Sequence, residues 1–151
     1  MKKARESEQP GVPHLPPLLL RQVELSEAAG SALSLLFCSF DEEMLNENRG
    51  GVRLFELVDV AAGDRSAPVA AALTVDVDAD TVEMQRYTVN RCFPSRLVTG
   101  RLISGIADRL RAAGASSLLV AAPTDVEEIG ELWSAGFRKA LAGCEWLELS
   151  L

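Results

Sequence analysis

Apolar residues recur along this chain in two rhythms, one of period two and one near 3.6, and the switch between them marks out the elements. Residues 18–23 (LLLRQV) read as a short strand. Over residues 26–40, Leu33, Leu36, Phe37 and Phe40 fall at helical spacing and make one apolar stripe. The polar, acidic run 41–51 (DEEMLNENRGG) predicts a loop or a frayed helical turn. Three strands are then predicted in succession, over 52–60, 69–77 and 81–89. In the middle one, Val69, Ala71, Leu73, Val75 and Val77 share a face.

From residue 99 the rhythm becomes helical. Leu102, Ile103, Ile106 and Leu110 mark one face, Asp108, Arg109 and Arg111 the other, and Gly114 sits where a left-handed cap belongs. Residues 116–122 (SSLLVAA) predict a buried strand closed by Pro123. TDVE over 124–127 fits a capping box for a second helix. That helix carries Val126, Ile129 and Trp133 along one face, with Trp133 as a core anchor, and Gly136 ends it. Residues 138–151 finish as one or two strands in which Leu147, Leu149 and Leu151 alternate. The order β-α-β-β-β-α-β-α-β predicts an α/β protein with a mixed sheet: an antiparallel meander, a βαβ unit, then a C-terminal helix and strand or strands. It does not fit a doubly wound fold, which alternates βα regularly.

Composition narrows the function more than the fold. At 151 residues, 48% hydrophobic and 25% charged, the chain reads as one globular domain. Residues 1–17 (MKKARESEQPGVPHLPP) lack the apolar core of a signal peptide and are too acidic for a transit peptide, so a flexible tail is expected ahead of a domain over 18–151. No apolar run approaches the roughly 20 residues of a membrane span. A net charge of −7 opposes non-specific attraction to nucleic acid or anionic membrane and suits a cationic partner such as an amine. Cys38, Cys92 and Cys144 form no CxxC pair and leave an odd count, which favours a reducing cytoplasmic setting, the nucleus included. The single histidine, His14, lies in the tail. Histidine-based triads and histidine metal sites are therefore excluded from the domain, and no metal is expected. Without a base to activate it, Cys92 reads as a small packing residue.

Three stretches, in this order and spacing, resemble the GNAT superfamily of acetyl-CoA-dependent N-acetyltransferases. VNRCF (89–93) resembles that family's strand end before its pyrophosphate loop. RLRAAGASSLLVAAP (109–123) resembles the end of its cofactor helix and the following strand. IGELWSAGF (129–137) resembles its last helix, closing on Gly136 and Phe137. The likeness runs from residue 18 to the C-terminus. The family's [RQ]xxGx[GA] loop falls here on Pro94, Ser95, Arg96, Leu97, Val98 and Thr99, or one residue later with Gly100 last. Either way, the arginine and at least one glycine are replaced. Glycine there lets the backbone approach a phosphate, and proline cannot donate. The amides of Leu97 and Val98, with Ser95, Thr99 and the cationic Arg96, are the donors that stand in.

The resemblance implies acetyl-CoA as co-substrate. Thr88 and Val89 would run along the pantetheine arm, and Ser95, Arg96, Leu97, Val98, Thr99 and Gly100 would hold the diphosphate. Transfer to an amine needs a base and an acid. The family pattern implies Glu83 as base, directly or through water, on a face it is expected to share with Gln85, Tyr87 and Val89; a solvated strand residue is the alternative. The family's acid is a tyrosine on the last helix, where this chain has Leu132, Trp133 and Ser134, leaving Ser134 to route a proton through water. Asp41, Glu42, Glu43 and Glu47 either line an acceptor site or are solvated. The activity implied is transfer of an acetyl group to the amine of a small molecule or protein. The alternatives are a catalytically inactive GNAT-like domain serving as a binding or assembly module, and a homodimer or protein partner joined through the C-terminal strand CEWLELSL.

Overall fold

The computed structural model describes residues 15–23, 51–62, 68–140 and 143–151. The predicted helix over 26–40, the acidic run that follows it and residues 1–14 lie outside the described residues. Seven strands are described: β1 (Leu18–Val23), β2 (Val52–Asp59), β3 (Ala70–Asp76), β4 (Thr81–Val89), β5 (Ser117–Ala121), β6 (Arg138–Ala140) and β7 (Gly143–Ser150). Two α-helices cross among them, α1 (Ser95–Ala112) and α2 (Val126–Ser134). The strands form one sheet in the order β1-β2-β3-β4-β5-β7-β6. Every neighbouring pair is antiparallel except β4 and β5, which run parallel and are joined by α1. The mixed sheet predicted from the sequence is thus the one observed.

One face of the sheet is sealed by α1. Val98, Leu102, Ile103, Ile106 and Leu110 are buried there with Phe55, Leu57, Ala70, Ala72, Val82 and Met84 from the strands. Each of these side chains larger than alanine contributes about 1.5–3 kcal/mol by leaving water. The other face buries Leu54, Ala71, Leu73 and Val75, together with the carboxylate of Glu56. Arg21 meets that carboxylate at 2.9 Å. Because both faces are covered, β3 is buried from Ala70 to Val75, and the one-sided alternation expected over 69–77 gives way to continuous burial. α1 lies close over β1. A Cβ on Gly105 would stand 2.9 Å from Leu20 Cδ2, and Arg109 donates to the Leu20 carbonyl at 2.9 Å.

Helix ends differ from the sequence expectation in informative ways. α1 starts at Ser95, ahead of the predicted start at residue 99, because Ser95, Arg96 and Leu97 bury no apolar side chain and the buried stripe begins only at Val98. Pro94 serves as N-cap at φ −61 and ψ 111, with no side-chain cap. At the other end Gly114, at φ 95, closes the helix as predicted, and Ala115 donates back to Leu110 at 3.0 Å. α2 is capped by Asp125, whose carboxylate accepts from the Glu127 amide at 3.0 Å, in place of the Thr124 cap expected. Gly136, at φ 112, ends α2 and lets Phe137 turn into the core.

Three further expectations are corrected. Trp133 is no core anchor: it is 40% exposed, Val126 is 80% exposed, and Leu132 is the buried residue of α2. The Trp133 ring instead carries the Arg138 guanidinium 4.8 Å above it. Cys92 is exposed and does not pack as a core residue. The C-terminal strand is not a free edge, because β7 is inserted between β5 and β6 and pairs with both. A partner cannot add to β7 as a neighbouring strand along that paired length.

Candidate functional site

β4 and β5 begin as parallel neighbours and then part. Thr81, Val82 and Glu83 pair with Ser117, Leu118 and Leu119, and there the pairing ends. β5 stops at Ala121, but β4 runs on to Val89, leaving one side of its backbone without a strand partner. At the point of divergence β4 also carries a bulge. Leu73 faces Arg86 while Thr74 faces Met84, so Gln85 is the extra residue.

The bulge reverses the alternation beyond it. Ala72 lies opposite Tyr87 and Ala70 opposite Val89, on the face sealed by α1; Val75 lies opposite Glu83 and Ala71 opposite Thr88, on the other face. Glu83 therefore shares its face with Arg86 and Thr88 and not, as the sequence spacing implied, with Tyr87 and Val89. A period-two reading cannot see an inserted residue.

A tight turn carries the chain from β4 into α1. Asn90 donates to Val69 at 2.7 Å, accepts from the Cys92 amide through Oδ1 at 2.9 Å, and accepts from Phe93 through its carbonyl at 3.2 Å. The first helical bond runs from the Val98 amide to the Pro94 carbonyl at 3.1 Å. The amides of Ser95, Arg96 and Leu97 thus point out of the helix start with no backbone acceptor among the described residues. With the positive end of the helix dipole, they form a donor cluster for an anion.

The strand gap, the turn and α2 enclose a cleft lined by Tyr87, Thr88, Val89, Arg91, Ser95, Glu128 and Glu131. The Tyr87 hydroxyl is buried and has no hydrogen-bond partner among the described residues. Burial pushes its pKa up to about 12, helped by the negative charges of Glu128, Glu131 and Asp125. It therefore stays protonated, as a donor, across the neutral range. At the mouth of α1 the Ser95 hydroxyl donates to the Glu131 carboxylate.

Of the residues predicted from sequence, Thr88, Val89 and Ser95 meet in this cleft. Arg96, Leu97, Gly100 and Ser134 border a separate, shallower depression with Leu15, Arg101 and Ala135. Val98 and Thr99 are fully buried, and the Val98 amide is already bonded to Pro94. The early start of α1 thus removes Val98, Thr99 and Gly100 from the set of phosphate donors: all three lie inside the helix. Nor does Gly100 serve a close approach, since a Cβ there would meet nothing within 4 Å. Glu83 lines neither concavity, and the structure does not bring it together with Ser134.

Sequence reasoning missed Tyr87, Glu128 and Glu131 as cleft residues. The signals were present: the chain's single tyrosine two residues from a strand end, and two glutamates three apart, hence on one side of a helix. What joins them is tertiary. Among the described residues no group of three or more His, Cys, Asp or Glu is placed to hold a metal ion, and no helix is long and apolar enough to cross a membrane.

No family model matches the sequence, and no curated protein does. Solved structures do match. An IAA acetyltransferase from Bacillus cereus aligns with a TM-score of 0.68 at 13% identity, over 89% of this chain and 100% of that one. A GNAT family acetyltransferase from Elizabethkingia anophelis, with acetyl-CoA bound, aligns with a TM-score of 0.63 at 14% identity, over 89% and 98%. An acetyltransferase from Bacillus subtilis in complex with CoA gives 0.64 at 12%, over 89% and 99%. The fold of this chain is the GNAT acetyltransferase fold.

Proposed function

We propose that this domain is an acetyl-CoA-dependent N-acyltransferase that acts on the amine of a small molecule or protein. The observation that carries the reading is the parting of β4 from β5 after Glu83, which opens a strand edge directly onto the start of α1. Two solved proteins of this fold hold acetyl-CoA or CoA. The residues fit such a ligand in part. Thr88 and Val89 offer open backbone for an amide-bearing arm; Ser95, Arg96 and Leu97 offer amides, and Arg91 a positive charge, for a diphosphate. Bound acetyl-CoA would supply the acyl thioester.

In this reading Tyr87 takes the part assigned from sequence to Ser134. The residue lines the cleft, and its buried hydroxyl, without a partner among the described residues, keeps its proton at neutral pH, which is what a donor to a departing sulfur requires. Glu83, on the Thr88 face, would accept the amine proton through water. The carboxylates at the cleft favour an ammonium-bearing acceptor, and a reducing, intracellular setting suits the exposed thiol of Cys92.

A second reading, a GNAT-like module that binds without catalysing, is favoured by one observation: Glu128 and Glu131 place negative charge where an anionic ligand would sit. Calorimetry with acetyl-CoA and CoA, followed by an assay of released CoA thiol over a panel of amines and peptide N-termini, separates the two. Saturable binding with acceptor-dependent release, slowed in Tyr87→Phe, is expected. Binding without release on any acceptor would leave the module, and no binding would remove the enzyme.

A further inference from the structure

The cleft contains a feature that the fold does not require. Glu131 reaches from α2 to the first residue of α1 and accepts from Ser95 Oγ. Its carboxylate thereby sits at the first residue of α1, the end of the helix where the amides of Ser95, Arg96 and Leu97 have no backbone acceptor among the described residues. Glu128 lines the same cleft but has no such contact with α1 among the described residues. One carboxylate is therefore bonded to the start of α1, and the other only contributes to the field around it.

We infer that Glu131 is a built-in competitor for the anionic ligand of this cleft, and that CoA affinity is set by displacement of Glu131 from Ser95. The inference rests on the CoA-binding reading above and adds a specificity-determining residue to it. Two physical steps lead to it. A diphosphate entering the cleft meets hydroxyl and amide donors already facing a negative group, so it must exchange one charge-assisted hydrogen bond for another. It must also approach that negative group closely, where like charges repel unless the carboxylate swings away. Pro94 sharpens the effect, since the residue that caps α1 supplies neither an amide nor a side-chain bond to offset the lost partner. Among the described residues Arg91 is the one cationic residue lining the cleft, and its single charge does not balance Glu128 and Glu131.

The test compares CoA and inorganic pyrophosphate binding to the full chain and to three variants by calorimetry at fixed pH and salt. Glu131→Gln removes the charge and keeps the shape. Glu131→Ala removes the occupant. Glu128→Gln changes the nearby charge without touching the Ser95 contact. Expected are CoA affinities tighter by about tenfold in both Glu131 variants, the scale of one like-charge contact removed at a partly exposed site. Glu128→Gln should gain clearly less, and pyrophosphate should follow the same ranking. Equal CoA affinity in the wild type and all variants, or weaker affinity in Glu131→Gln, would overturn the competitor role while leaving the CoA reading intact. Absence of CoA and pyrophosphate binding in every protein, each shown folded by its thermal melt, would overturn both. Binding that appears only in the Glu131 variants would support the competitor and mark the wild-type cleft as closed by its own carboxylate.

Discussion

Tyr87 is the chain's single tyrosine, so its ionisation can be followed in the unmodified protein. Its pKa is pushed up to about 12 from 10.0, first by burial and then by Glu128, Glu131 and Asp125. For an acid whose folded pKa is raised, the unfolded chain releases the proton first. Stability is whole below the unfolded value and declines as pH rises from about 10 to about 12. Tyrosinate absorbance in the native protein should therefore appear at higher pH than in the denatured chain. Tyr87→Phe should leave thermal stability unchanged or slightly higher, since it removes a buried hydroxyl without a partner among the described residues. It should also flatten the alkaline decline. If the proposed role in proton donation holds, turnover falls about 100-fold with CoA affinity retained. A native titration coincident with the denatured one would show the hydroxyl to be in water. This residue was visible in the sequence, but its place was not. Two facts put it in the cleft, the bulge at Gln85 that turns it onto the α1 face and the packing of α2 beside it, and neither is written in local spacing.

At the scale of elements, strands and helices were legible wherever their own side chains set the period. β1 and β4 fall on the predicted bounds, and Gly114 and Gly136 end their helices because only a left-handed residue can close those turns. The start of α1 was not legible, and with it the misplaced loop donors, because Ser95, Arg96 and Leu97 belong to a helical turn with no buried stripe of its own. That difference yields a prediction. If Gly100 were a phosphate-loop glycine, adding a methyl group would harm binding. Inside α1, with open space around it, Gly100→Ala should stabilise the fold by about 0.5–1 kcal/mol in chemical denaturation and leave CoA affinity unchanged. Lost affinity would restore the loop reading. The β1–β2 pair carries a second prediction. Arg21 holds the almost fully buried Glu56 carboxylate across the two strands, so Arg21→Met leaves that charge without its cation. A loss of about 3 kcal/mol is expected in the same measurement, and Glu56→Gln in the Arg21→Met background should recover part of it. A loss in the single variant no larger than that of a surface substitution would mean that the pair contributes little.

Over the whole molecule, charge opposes the ligand that the fold suggests. The chain carries −7 in total, and Glu128 and Glu131 line the cleft itself. CoA is a polyanion. At low ionic strength, where the screening length is about 30 Å at 0.01 M, it approaches against the field of the entire protein; at 0.15 M, with a screening length of about 8 Å, it meets chiefly the groups of the cleft. The contacts proposed to hold it, helix amides and Arg91, act at short range and are less screened. Salt should therefore raise the association rate constant, the reverse of what is seen when unlike charges steer a ligand into its site. Stopped-flow tryptophan fluorescence at several salt concentrations would read this directly. A rise of several-fold between 0.01 and 0.15 M, smaller in Glu131→Gln than in the wild type, is expected. A rate that falls with salt would mean that Arg91, Arg96 and Arg101, all near the start of α1, dominate the field at the entrance. The acidic net charge would then have no bearing on how the ligand arrives, and the competition at Ser95 would act only after encounter.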